Sequence, residues 1–496
     1  MVVTVDFSGN SVVSRALPLL ARVSRFLVEQ GIDSYLVGGF VRDALLGRDT
    51  GDIDIAVAAD ALEVAPRVAA FLGGKYVPLD KVNRVGRVLL TDSPREVDFS
   101  TFHGGIEQDL GRRDFTIDAV AVDLRQLQDI TSIRLIDPFN GCEDLRQGII
   151  RAVADTAFES DAIRSLRGAR LAAELGFRID KQTEDLIRRY SHLLSHVAGE
   201  RVREELLRIL AVPQEQLLSY LDRLGLLTAV IPELAQMKGV NQPREHFWDV
   251  FDHSLNTVVA VDFLLRQGKW QYAGGDILAH IPWSEVLAQH FDQAVGYGST
   301  RRILLKLAAL LHDIAKPQTR AAEASGRVRF LGHPQEGATI AADILERLRF
   351  STREIKQVEI LVQNHLRPLQ MSHEGPPSAR AVYRFFRDTG EAGVDVLFLC
   401  LSDHLAARGP NLNLVHWREH NRLVEYILAQ REQQEGPVAS PKLIGGHDFI
   451  NLLGMSPSRQ IGELLEAVRE AQAAGELTTR EEALAYVRDR LVSKAV

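Results

Sequence analysis

Residues 35–57, YLVGGFVRDALLGRDTGDIDIAV, restrict the N-terminal fold more than any other stretch of the chain. The apolar run SYLV halts at Gly38-Gly39 and passes at once into VRDALLG, a short helical pattern that Gly47 closes. The alternating DIDIAVA then resumes a β period. A glycine pair between strand and helix lets backbone N–H groups approach an anion closely, and the helix N-terminus adds partial positive charge. Arg42, in the first turn, can reach the same anion. Asp52 and Asp54 stand at i and i+2 of a strand, so both carboxylates leave from one face, where they can share a pair of Mg²⁺ ions. The spacing predicts that one element holds phosphate and the next holds metal. Two such ions would activate a hydroxyl nucleophile and stabilise a pyrophosphate leaving group.

The alternation of helix and strand continues through the first 150 residues, with helical periodicity over 14–30 and β-runs at RVGRVLLTD, EVDFSTF and FTIDAVAVDL. From about 155 onward the helical period dominates. The expected fold class is α+β, a mixed head followed by an all-α body. At 496 residues the chain exceeds what one core fills. The boundaries expected are near 150, near 235 before VNQPREHF, and in EGPVASPKLIGG. They give a head over 1–150, a helical neck over 151–235, a second helical domain over 236–430 and a helical tail over 431–496.

No apolar run reaches the roughly 20 residues of a membrane span, and no secretory pattern opens the chain. With only Cys142 and Cys400, no disulfide framework is implied and a cytoplasmic home is expected. The net charge of -8 excludes a globally basic nucleic-acid binder, so any such site must be a local, arginine-rich patch. No feature of the sequence sets an oligomeric state.

A lone Asp-x-Asp is usually a solvated strand face, and a lone Gly-Gly before a helix is usually a turn. Together at this spacing they resemble the class II tRNA nucleotidyltransferase and bacterial poly(A) polymerase family, whose signature is Gly-Gly-x-Val-Arg-Asp followed by Asp-x-Asp. The resemblance implies a polymerase-beta-like head in which Asp52 and Asp54 carry the catalytic metals and Gly39 and Arg42, beside Gly38, contact the nucleotide. DLGRRDFTIDAVAVDL is similar to the family's Arg-Arg-Asp-Phe-Thr motif, which implies that Arg113 contacts the nucleotide with Asp114 as its local partner; Asp118 stands where the family usually has Asn. IDPFNGCEDLRQGIIRAV resembles the segment that links head to neck.

FESDAIRSLRGARLAAELGF carries the expected base choice. A helix through it would place Asp161 and Arg164 on one face at i and i+3, with Arg167 and Arg170 continuing the stripe. A carboxylate accepts from the exocyclic amine of C or A, and a guanidinium donates to cytosine N3/O2 or adenine N1, so uracil and guanine are refused. The bland alternative is a solvated arginine-rich face. The family's amino-acid template matches at these positions, although Ser160 stands where it often has Glu and Glu159 is displaced by one.

Further along, FDHSL, LLHDIAKP, LGHPQEGA, QNHLRP and LSDHLA bring His253, His312, Asp313, His333, His365 and Asp403. One buried histidine is more often a satisfied core residue than a ligand. Six ligand-type residues with an adjacent His-Asp pair resemble the HD metal-dependent phosphohydrolase domain, which implies a binuclear site bridged by Asp313. Imidazole and carboxylate donors suit Mn²⁺, Ni²⁺ or Co²⁺ better than Mg²⁺. His447 and Asp448 repeat the dipeptide without partners and are expected to be a coincidence. The tail, with the arginines of ERVREELLRIL, is a candidate tRNA surface.

The combined expectation is template-independent addition of C and/or A, from CTP and ATP, to the 3′ end of tRNA, with a phosphohydrolase activity in the HD region. A poly(A) polymerase or A-adding enzyme is the near alternative. A phosphohydrolase whose head only binds RNA is the alternative of another class. Between EVDF and the Arg-Arg-Asp motif stands only STFHGGIEQDLG, shorter than the loop of full CCA-adding relatives and similar to CC-adding ones.

Overall fold

Ile53, Ile55 and Val57 turn one way from a strand and Asp52, Asp54 and Ala56 the other, and this alternation organises the N-terminal unit. The computed structural model describes residues 3–91, 95–272, 276–324, 328–372, 375–435, 442–453 and 455–493. It divides into two compact units, Met1–Val197 with Leu221–Val230, and Ala198–Tyr220 with Ile231–Val496. Residues 436–441 of the boundary expected in EGPVASPKLIGG lie outside the described residues. Among the described residues no helix is long and apolar enough to cross a membrane.

The first unit holds an eight-stranded sheet, β1 (Val3–Val5), β2 (Ser34–Val37), β3 (Asp52–Val57), β4 (Lys75–Asp80), β5 (Val85–Leu89), β6 (Glu96–Thr101), β7 (Ala121–Asp123) and β8 (Ile133–Ile136), in the order β1-β8-β7-β2-β3-β6-β5-β4. Only β3 and β6 pair in parallel; every other pairing in the sheet is antiparallel. Helix α1 (Ser11–Glu29) starts where the Asn10 side chain accepts from the N–H groups of Val12 and Val13. It buries Val13, Ala16, Leu20, Val23 and Leu27, a helical stripe, against the side of the sheet that carries Ile53 and Ile55. Helix α3 (Ala61–Leu72), capped by Asp60, covers the same side. Burial of each such side chain contributes about 1.5–3 kcal/mol, so Ile55→Ala would cost roughly 2–5 kcal/mol. The opposite side carries a smaller cluster of Val37, Ala56, Phe102, Leu110 and Ala121, and this leaves Asp52 and Asp54 of β3 facing an opening.

FTIDAVAVDL, expected as a continuous β-run, begins instead as a 3-10 turn over Thr116–Asp118 and becomes strand only at Ala121. The turn is held from outside the segment: Thr116 Oγ1 donates to Asp144 at 2.7 Å, and the backbone of Gly141 lies so close that a Cβ there would stand 2.0 Å from the Thr116 carbonyl oxygen. The helix Ile163–Leu175 packs on Phe115 through Gly168, where a Cβ would meet the ring at 2.7 Å.

The second unit is helical. Val250–Leu264 and Ala392–Arg408 are buried almost all round, which is why their apolar residues show little one-sided pattern, and Arg301–Leu311 is buried along its whole length. Lys306 sits at full burial among them, paired with Asp262 and donating to the Leu210 carbonyl at 2.7 Å. In the tail, Asp448 accepts from the N–H of Gly445 at 2.7 Å and pairs with Arg480; it caps its own helix, a structural duty that accounts for the second His-Asp dipeptide.

Candidate active site and candidate metal centre

The opening beside β3 is a cleft of about 350 Å³ lined by Gly38, Gly39, Arg42, Asp54, Asp98, Arg113, Asp118, Arg167 and Arg170 among others. Gly38 ends β2 with φ 68°, a left-handed conformation open to glycine. A Cβ at that position would stand 2.9 Å from Arg113 Nη1 and 3.0 Å from Asp54 Oδ2, so only glycine leaves room for both groups over the turn. Helix α2 (Gly39–Leu45) follows and brings Arg42 to the cleft.

Asp52 lies at the exposed start of β3 and Asp54 two residues further in, on the same side. Burial pushes the Asp54 carboxyl up to about 6 against the pull of Arg113, and the neighbouring Asp98 and Asp52 push it further. Asp98 was not anticipated. It sits in β6 directly across the parallel pairing from Asp54, as Glu96 does from Asp52. The signal was the same alternation in EVDF as in DIDI. Both Asp98 oxygens accept from Arg87, at 2.7 and 2.8 Å, so Asp98 adds charge without offering a free ligand oxygen. Asp52 and Asp54 on one sheet face, with the charge of Asp98 beside them, form a donor set that fits divalent cations.

Each cleft arginine has an acid beside it. Arg42 forks onto Asp43 and donates Nη1 to Asp118 at 2.7 Å. Arg167 donates to Asp114 at 2.7 Å, Arg170 to Glu174 at 2.6 Å, and Arg113 meets Asp109 at 3.4 Å. Asp114, expected to serve the adjacent Arg113, therefore serves Arg167 across 53 positions. A second expectation is corrected as well. Asp161 and Arg164 do not share a helical face: the chain leaves a four-residue helix, Ala157–Ser160, with Asp161 extended at φ −154°, and the next helix begins at Ile163. Arg164 lies in that helix's first turn and donates to the Arg112 carbonyl at 3.0 Å. Arg167 and Arg170, one and two turns on, line the cleft as expected.

In the second unit the six expected ligand residues converge. His253 comes from the helix Val250–Leu264, His312 and Asp313 from the end of Arg301–Leu311, His333 from the start of His333–Arg347, His365 from the end of Thr352–Asn364, and Asp403 from Ala392–Arg408. His253 Nε2 lies 3.2 Å from His312 Nε2 and 3.1 Å from Asp403 Oδ1. Asp313 stands in the middle, 3.2 Å from His312, 3.4 Å from His333 and 3.9 Å from His365.

The Nδ1 atoms of His312, His333 and His365 lie 2.8, 2.6 and 2.7 Å from the carbonyl oxygens of Ala309, Phe330 and Val362. A carbonyl only accepts, so Nδ1 carries a proton and each Nε2 faces inward, where a metal would bind. Burial drives His365 down to about 3 and lowers His333 and His253, so these rings are neutral. Although burial alone would raise the Asp313 carboxyl, His312 and Lys316 hold it well below the ordinary value, and against burial Asp313 in turn raises His312, whose Nε2 must give up its proton to an arriving cation. Neutral imidazoles and ionised carboxylates are the ligand forms that divalent metals require. His333 Nε2 and Asp313 Oδ1 are buried yet make no hydrogen bond, which again fits absent cations. Two residues outside the expected set join the cluster: Lys316, whose Nζ lies 2.6 Å from Asp313, and His246. His246 lies in the stretch expected as a domain boundary and carried no signal beyond its residue type.

Residues 34–151 match the Poly A polymerase head domain, 176–238 the probable RNA and SrmB-binding site of polymerase A, and 278–408 the HD domain. The A-adding tRNA nucleotidyltransferase of Deinococcus radiodurans is 34% identical over 91% of this chain and 94% of that protein. The CC-adding tRNA nucleotidyltransferase of Thermus thermophilus is 33% identical over 92% and 93%. Among solved structures, the Thermotoga maritima CCA-adding enzyme complexed with tRNA matches with a TM-score of 0.63 and 25% identity, covering 99% of this chain and 100% of that one.

Proposed function

The chain belongs to the tRNA nucleotidyltransferase family, and from that premise we propose how its residues carry out template-independent addition to the 3′ end of tRNA. In this reading Asp52 and Asp54 hold the catalytic Mg²⁺ ions, which when bound would polarise the attacking RNA hydroxyl and the pyrophosphate leaving oxygens. The chain's own groups do the rest. Arg113, Arg42 and Arg167 face the triphosphate of CTP or ATP, and the Gly38 turn gives the phosphates close backbone approach. Asp161 and Arg164, at the entry to the helix whose next turns line the cleft, read the exocyclic amine and ring acceptor of C or A. The observation that carries this reading is that Asp54 and Arg113 both crowd the space over Gly38, where the geometry excludes any side chain.

The short connection between β6 and the helix Ile106–Leu110, only residues 102–105, supports CC addition over full CCA addition. The test supplies a tRNA ending at its discriminator base with CTP, with ATP, and with both. The expected product ends at CC. Extension to CCA overturns the CC assignment, addition of A alone to a tRNA ending in CC makes it an A-adding enzyme, and an adenosine tract makes it a poly(A) polymerase.

A second reading, of the helical unit, stands beside the first and not against it. His253, His312, Asp313, His333, His365 and Asp403 hold two transition ions of the Mn²⁺, Ni²⁺ or Co²⁺ type, and the centre hydrolyses phosphoesters, with 2′,3′-cyclic or 3′-phosphates at RNA ends as the substrate class. The inward Nε2 atoms of three backbone-anchored histidines support it. The match of residues 176–238 to an RNA-binding segment supports a tRNA-binding neck over 151–235, between a head over 1–150 and the HD region over 236–430, followed by the tail over 431–496. Free Cys142 and Cys400 agree with a cytoplasmic location.

A further inference from the structure

The segment Val240–Asp249 crosses the metal cluster as a strap fixed at several points. Its ends meet where the N–H of Val250 donates to the Val240 carbonyl at 3.0 Å and the N–H of Gly239 to Asp249 Oδ2 at 2.6 Å. The helix that carries Asp403 also holds it: the N–H of Phe247 donates to the Ala407 carbonyl at 2.8 Å, and Arg408 donates to the Glu245 carbonyl at 3.0 Å. Two side chains descend from this strap into the cluster. Gln242 accepts from Lys316 Nζ at 2.6 Å, the same ammonium that lies 2.6 Å from Asp313. His246 meets His253 edge to face, with ring centroids 5.3 Å apart.

We propose that His246 is a further metal ligand, on the ion that His253 and Asp403 face. This rests on the reading of the six-residue cluster as a metal centre. One donor atom each from His246, His253 and Asp403 lie within 4.8 Å of one another, as do those of Asp313, His333 and His365 on the other side of the cluster. His246 Nδ1 is buried and makes no hydrogen bond. An imidazole nitrogen shut away from water without a partner is costly, and an ion at that position removes the cost. With His246 the ion near Asp403 has His246, His253, His312, Asp313 and Asp403 around it, a number that transition ions accept, while the other keeps Asp313, His333 and His365 with room for water or substrate oxygen. The strap then becomes part of the centre, and loss of that ion frees it.

The experiment titrates the chelator-stripped full chain with Co²⁺ by equilibrium dialysis, recording the visible Co²⁺ spectrum and hydrogen exchange of residues 240–249. Wild type is compared with His312→Ala/Asp313→Ala, which gives the binding that remains elsewhere in the chain, and with His246→Phe and His246→Asp, all checked for a wild-type melt. Phenylalanine keeps the ring and removes the donor; aspartate keeps a donor. Wild type should bind two ions beyond the double variant. His246→Phe should bind one of them roughly 10- to 100-fold more weakly or more, a loss at least as large as outer-shell changes cause, and should lose the Co²⁺-induced protection of the strap. His246→Asp should recover both. Binding and spectrum of His246→Phe equal to wild type, or His246→Asp no better than phenylalanine, overturns the proposal. Wild type binding no more Co²⁺ than the double variant overturns the metal-centre reading itself, and this inference with it.

Discussion

Arg42 Nη1 lies 2.7 Å from Asp118 Oδ1, so a buried acid on the turn Thr116–Asp118 stands against one of the cleft's cations. Burial pushes the Asp118 carboxyl up, with Arg42 pulling it back, and the family usually has Asn at this position. Asp118→Asn keeps an acceptor for Arg42 while removing a negative charge from the proposed triphosphate site. The variant should bind nucleotide more tightly by about 1 kcal/mol, roughly fivefold in KM, with the gain fading as salt rises. KM for CTP measured at two ionic strengths and pH 8 checks this; an unchanged or higher KM at low salt means that Asp118 does not oppose phosphate.

Asp54 sets activity against stability. Its carboxyl is raised from 3.8 to about 6, first by burial, so between these values the folded chain keeps a proton that the unfolded chain has lost. Stability without metal therefore falls as pH rises through that window, and the deficit is complete above about 6. Asp54→Asn removes it. In chelator at pH 8 the variant should unfold at a higher temperature than wild type, by roughly 1 to 3 kcal/mol of stability, while adding no nucleotide when Mg²⁺ is supplied. Scanning calorimetry at pH 8 and pH 4.5 gives the comparison, and the gain should shrink to roughly a third at the lower pH.

What the sequence disclosed follows from how local the cause is. The strands β3 and β6, which alternate apolar and polar residues, and β2 and β5, which are short apolar-rich runs, were legible, whereas β1, β4 and β8 are short or largely exposed and depend on pairing partners far along the chain. Gly38, Arg42, Asp52 and Asp54 could be placed because one turn and one strand fix them. Asp161 could not, since SDAIR contains no glycine or proline to mark the break that leaves it extended between two helices. The partners of the arginines were equally hidden: Asp114 sits next to Arg113 in sequence, yet its oxygen lies 2.7 Å from Arg167. The six cluster residues showed themselves by type, while His246 needed the strap's fold to bring it to His253.

Placing Asp161 at the mouth of the arginine helix sharpens the test of base choice. Asp161→Ala removes the proposed acceptor for the exocyclic amine and should relax preference for CTP and ATP over UTP and GTP by roughly 1 to 3 kcal/mol. Because Arg167 and Arg170 line the cleft independently, the variant should keep phosphate binding and lose discrimination more than rate. Competition assays with paired nucleotides measure the ratio, and full retention of the preference would show that the base is read elsewhere.

The cleft and the metal cluster belong to different compact units, so their chemistries should separate by mutation. His312→Ala with Asp313→Ala removes two central donors, and the four that remain, His253, His333, His365 and Asp403, have lost the carboxylate between them. Ion retention should fall to the level of the head alone, and hydrolysis of RNA ending in a 2′,3′-cyclic or 3′-phosphate, assayed with Mn²⁺, Ni²⁺ or Co²⁺, should disappear. Addition to a tRNA with a free 3′-hydroxyl should stay within about twofold of wild type, since Asp52, Asp54 and the cleft arginines are untouched. The same tRNA carrying a 3′-phosphate provides the sharper comparison: wild type should first clear the phosphate and then extend the end, and the double variant should do neither. A wild-type chain that extends only the hydroxyl-ended tRNA under every metal tried would leave the cluster a structural one.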